Sequence, residues 1–171
     1  MRRTGINATA ARCGSAVAVL AMLLTAGPAL SANAVDIEAG LKVFKMANCM
    51  GCHKWHGQGG GGYGGKALSL RGTQLDAQNI ARVVRCGIPG TGMPYHGRQS
   101  YQQDDDKGCY DRTRVEFGDH LPPLAPKLLS DRQIDSVVTY VVAQIKGRGA
   151  PTYAECEAFW GKNKRQCDEF R

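Results

Sequence analysis

The chain has 171 residues, with 22 basic against 15 acidic side chains and a formal net charge of +7. No run concentrates lysine and arginine into a nucleic-acid-binding patch. Beyond the first residues, nothing is long and apolar enough to span a bilayer.

Arg2, Arg3 and Arg12 open the chain, the apolar run 16–24 comes next, and Ala32-Asn33-Ala34 matches the small-x-small cleavage pattern. This is the layout of a secretory signal peptide. Residues 1–34 are therefore expected to be removed, with cleavage after Ser31 as the alternative, and the protein is expected to be periplasmic. Cys13 precedes the apolar run rather than closing it, so no lipid or membrane anchor is expected after cleavage. The mature chain is the size of one domain. Without those arginines the balance is 19 basic to 15 acidic residues, a mild positive charge suited to an acidic protein partner.

A first helix is predicted over 36–48. Ile37, Gly40, Leu41 and Phe44 mark its apolar side, and Asp36 and Glu38 sit in the first turn, where acids suit the helix dipole. It runs into Cys49-Met50-Gly51-Cys52-His53. Residues i and i+3 share a helix face, so both sulfurs can reach the vinyl groups on one side of a haem, with His53 offering a ring nitrogen to the iron. Cys-x-x-Cys-His is read as a c-type haem attachment site. A dithiol redox pair or half of a zinc site are the competing readings. Zinc needs two further ligands at paired spacing, and the remaining cysteines are scattered.

The glycine-rich stretch 57–65 lacks the Gly-Lys-Ser/Thr ending of a phosphate loop and reads as a turn against the haem edge. Asp76 is placed to cap a second helix over 77–86, which Gly87 stops. The loop Ile88 to Tyr95 carries Met93 between Gly92 and Pro94, forty residues past His53. A sixth iron ligand must come from the far side of the ring. Met46 and Met50 are too near the attachment site to cross over. Met93 is the candidate, His96 its rival, and His56 and His120 are weaker claimants.

Residues 95–127 are polar and proline-punctuated, a long connection that includes Asp104-Asp105-Asp106 and reads as a solvated charge run. Ser130 opens the clearest helix: Ser130-Asp131-Arg132-Gln133 is a capping box, and Ile134, Val137, Val138, Val141 and Ile145 succeed it at helical spacing. The tail 148–171 holds Cys156, Trp160 and Cys167. Four cysteines remain after the signal and the haem motif. An even remainder in an exported chain suggests two disulfides. Three pairings exist, and Cys86 with Cys109 plus Cys156 with Cys167 is favoured because each closes a local loop.

Together, Cys49-Met50-Gly51-Cys52-His53, Gly92-Met93-Pro94 and the surrounding helices resemble the class I cytochrome c family over about 36–147. The resemblance implies an all-α fold of about three to five helices around one covalently bound haem c. It divides the chain into residues 35–147, the cytochrome domain, and 148–171, a disulfide-tied C-terminal extension. It implies Cys49 and Cys52 as covalent anchors and His53 and Met93 as axial ligands. Gly40, Phe44 and Tyr140 match the family's contact between first and last helices. The family often has a proline soon after the motif whose carbonyl orients the histidine. None is present here, so another carbonyl is expected to serve.

The function so implied is a monohaem one-electron carrier between a donor and an acceptor protein, not an enzyme. The cysteine-tied loop is similar to cytochromes that accept electrons from quinoprotein alcohol dehydrogenases, with a terminal oxidase as acceptor. Lys54, Lys66, Arg71, Arg85 and Arg98 are candidates for a basic rim that steers acidic partners or binds the haem propionates. The rival readings are a haem subunit of a larger oxidoreductase, and a gas-binding or peroxidase-type protein with an open iron position.

Overall fold

The computed structural model describes residues 32–60, 67–104 and 107–171. Residues 1–31 of the expected signal peptide, Gly61 to Lys66, and Asp105 and Asp106 lie outside the described residues.

Helix α1 spans Ala32–Met46 and begins upstream of the predicted 36. Asn48, at φ 57°, turns the chain into the short α2, Cys49–His53; asparagine tolerates this left-handed conformation. Helix α3, Ala77–Cys86, matches its expected bounds. The Asp76 carboxylate accepts the Asn79 N–H at 2.8 Å, and the Gly87 N–H closes the far end on the Val83 carbonyl. After α4, Arg114–Phe117, and a 3-10 turn, Gly118–His120, comes α5, Asp131–Gln144. Its capping box forms as predicted: the Ser130 N–H donates to Gln133 Oε1 at 3.0 Å, and the Gln133 N–H returns to Ser130 Oγ at 3.4 Å.

Helices α1 and α5 cross to make the main core. A Cβ on Gly40 would lie 2.1 Å from the Ser136 carbonyl oxygen, so only glycine permits the approach. The Phe44 and Tyr140 rings meet across the crossing, centroids 5.5 Å apart.

The tail forms α6, Tyr153–Trp160, and a 3-10 helix, Arg165–Phe170, joined by Cys156–Cys167. Phe159 from α6 is 4 % exposed and belongs to the same core as Phe44. The second disulfide joins Cys86 to Cys109. Both are the favoured pairings.

The fold is mostly helical, as expected, with more helices than the three to five anticipated and one small addition of strand. The described residues hold six α-helices, two 3-10 helices and a two-stranded parallel sheet, in which β1, Tyr95–Gly97, pairs with β2, Leu124–Leu129. A three-residue strand shows no alternation to read, and Pro126 argues against a strand. With only two strands each is an edge, where proline's missing N–H costs no ladder bond. Among the described residues, no helix is long and apolar enough to cross a membrane.

Candidate functional site

Helix α2 brings Cys49, Cys52 and His53 to one wall of a cavity of about 290 Å³, and Met93 lines the same cavity. Its other walls are mostly apolar: Ile80, Val83 and Val84 from α3, Val137 and Val141 from α5, and Phe44 from α1, with Ser69, Thr73 and Thr91 among the loop residues. The four site residues expected from the sequence therefore share one space, although Met93 is remote in sequence.

The His53 ring is oriented by a backbone group. Its Nδ1–H donates to the Leu68 carbonyl at 3.0 Å, which leaves the Nε2 lone pair for a metal. Burial lowers the His53 pKa, opposed by that hydrogen bond, so the neutral, metal-binding ring is favoured. The Leu68 carbonyl takes the place of the missing proline's. The glycine-rich loop makes this contact geometrically accessible. The Gly59 N–H donates to the His53 carbonyl at 3.0 Å, and the Gly60 N–H to the Ala67 carbonyl at 2.9 Å. Gly59 has φ +70°, and a Cβ there would lie 2.2 Å from the Ala67 carbonyl oxygen. Only glycine lets the loop close on 67–70.

Cys49 and Cys52 are not bonded to each other. Burial pushes the Cys49 thiol up to about 12, against the low pKa of a nucleophilic dithiol or a ready metal thiolate. Among the described residues, no three His, Cys, Asp or Glu side chains converge on a metal position. The zinc reading therefore lacks its ligand set.

Met93 sits in a closed turn. The Ile88 N–H donates to the Met93 carbonyl at 3.2 Å, the Met93 N–H to Thr91 Oγ1 at 3.1 Å, and Thr91 Oγ1 to the Ile88 carbonyl at 2.8 Å. Its rival His96 is 4 % exposed on β1, with Nδ1 bonded to the Lys127 carbonyl at 2.9 Å, and does not line the cavity. Neither do His56, whose ring stacks edge-on with Trp55, and His120, which lies beside Gly90.

The basic rim is smaller than expected. Arg71 is 6 % exposed, pairs with Glu155 of α6, and donates from Nε to the His56 carbonyl at 2.8 Å. Arg85 pairs with Asp131 at 3.1 Å. Arg71 thus ties the C-terminal extension to the haem-motif loop rather than facing a partner. Sequence proximity to the motif carried no information about which way it points.

An apolar cavity, two free thiols one helical turn apart, an oriented imidazole and a thioether form a donor set that fits haem. These residues are the ones that would hold it. The Cytochrome c family model matches residues 37–144 of the chain. Comparison with curated proteins gave no match, and comparison with solved structures gave none. The matched stretch runs from α1 through α5, and the chain belongs to the cytochrome c family, whose members carry covalently attached haem c.

Proposed function

We propose that the protein is an exported, monohaem one-electron carrier and catalyses no reaction of its own, with Cys49 and Cys52 as thioether anchors and His53 and Met93 as axial ligands. The observation that carries this reading is the shared cavity, which His53 and Met93 both line. When bound, haem supplies a one-electron couple, and methionine–histidine ligation raises its potential. The chain's part is to hold the ligands still and keep water out. The Leu68 carbonyl orients His53, the 88–93 turn holds Met93, and valine and isoleucine side chains wall the site. A packed α1–α5 core limits rearrangement when charge changes. His96, fixed to Lys127 elsewhere, supplies no acid–base group to the cavity, which speaks against a peroxidase-type site.

Export is supported by the basic start, apolar run and small-residue close of the first 34 residues. The donor we propose is a quinoprotein alcohol dehydrogenase, on the likeness of the Cys86–Cys109 loop, and the acceptor a terminal oxidase. The test of the ligand set is the absorption spectrum of the oxidised protein beside its Met93→Ala variant. The methionine–iron charge-transfer band should vanish in the variant. A band that persists there rejects Met93, and ready carbon monoxide binding by the reduced native protein rejects the closed-carrier reading.

A further inference from the structure

Residues from 95–104 and 107–124 grip the Met93 loop at its start, tip and end. At the start, the Tyr101 hydroxyl donates to the Cys86 carbonyl at 2.9 Å and the Tyr110 hydroxyl to the Gly87 carbonyl at 2.5 Å. Cys86, the last residue of α3, is also bonded to Cys109. At the tip, the Gly90 N–H donates to the His120 carbonyl at 2.9 Å. At the end, the Tyr95 N–H donates to the Pro123 carbonyl at 3.0 Å, beside the pairing of β1 with β2.

The fit around Gly87 is close. At φ +68°, a Cβ there would lie 2.6 Å from Pro122 Cβ and 2.8 Å from the Met93 carbonyl oxygen. The gripping residues have a small core of their own, in which Cys86, Tyr101, Cys109 and Phe117 are buried apart from the α1–α5 core. Carbonyls at the end of a helix have no partner within it. The two tyrosines supply partners just where α3 hands the chain to the Met93 loop. Burial pushes Tyr101 up to about 12 and raises Tyr110, so both stay O–H donors.

We propose that this second core is a brace for Met93, with Tyr101, Tyr110 and the Cys86–Cys109 bond as its positioning groups, and that it sets how often the methionine leaves the iron. The proposal rests on Met93 being the axial ligand. Departure of Met93 is a local opening of the 87–95 loop. An added ligand binds only the open form, so its apparent affinity scales with the open fraction.

The test is an imidazole titration of the oxidised holoprotein, followed by the shift of the main haem absorption as imidazole binds, with loss of the methionine–iron charge-transfer band as a second readout in the variants that keep Met93. Tyr101→Phe and Tyr110→Phe keep the ring and remove only the donor. Each should tighten apparent imidazole affinity about fivefold, the effect of one lost hydrogen bond. Cys86→Ala/Cys109→Ala should tighten it by about tenfold or more. Cys156→Ala/Cys167→Ala, in the tail, should leave it unchanged, even though it lowers thermal stability. Tyrosine variants that bind imidazole as weakly as the native protein overturn the brace, whatever their thermal stability. Met93→Ala, measured alongside, should bind imidazole most tightly. A native protein that already matches it shows instead that Met93 is not the ligand, and the brace fails with that reading.

Discussion

Gly40→Ala probes the helix crossing that carries the haem motif. The new methyl would lie 2.1 Å from the Ser136 carbonyl oxygen and 2.6 Å from Tyr140 Cβ. The nearer obstacle is backbone, so no rotamer relieves it. Restoring ordinary contact requires α1 and α5 to part by roughly 1 Å, and a gap of that size forfeits up to about half of the contact attraction nearby. Phe44 and Val137, 1 % and 2 % exposed, lie in the core that the crossing closes. Overpacking of this kind costs about 3 kcal/mol. The better helix propensity of alanine returns about 1 kcal/mol, so the net loss should be about 2 kcal/mol. Guanidinium unfolding of the oxidised holoprotein, monitored by far-UV circular dichroism, should show a lower midpoint at unchanged slope. Because Phe44, Val137 and Val141 also wall the cavity, the charge-transfer band should weaken at lower denaturant than in the native protein. A stability change below about 0.5 kcal/mol, the range of an ordinary surface substitution, would refute the steric argument.

Arg71→Ala should destabilise the protein by about 3 kcal/mol, since it strips Glu155 of a nearly buried cation and leaves it the more distant Arg148 at 3.8 Å and the Thr152 N–H at 3.2 Å. The double variant with Glu155→Ala should lose less than the two single losses combined; simple additivity would mean the pair is not coupled. Burial pushes His96 below its ordinary value of 6.5, with the Lys127 carbonyl opposing. A base depressed by folding adds stability that is fully present above its unfolded pKa and lost as pH falls through the folded one. The urea midpoint should therefore drop between about pH 7 and pH 5, and His96→Gln should flatten the drop; an equally steep fall in that variant would clear His96. Breaking Cys156–Cys167, eleven residues apart, should cost about 3 kcal/mol by thermal unfolding, and an unchanged midpoint would show that the tail contributes nothing. Electron transfer to an acidic partner should slow as salt rises, and a rate flat across a salt series removes that kind of partner.

Much of this molecule was legible from local pattern. The capping residues Asp76 and Ser130, the stop at Gly87 and the spacing of Ile134 to Val141 act within a few residues of chain, so the sequence alone determined α3 and α5. The attachment motif was equally plain, because Cys49, Cys52 and His53 share one helical turn. Only tertiary structure decided the rest. The carbonyl that orients His53 comes from Leu68, and every residue offers the same carbonyl, so side-chain identity could not name it. Arg71 sits near the motif in sequence yet turns inward to Glu155, 84 residues away. The β1–β2 pairing and the grip on the Met93 loop join segments too short to announce themselves. Their energy comes from backbone partners and shared burial across the fold, and neither leaves a periodic mark on the chain.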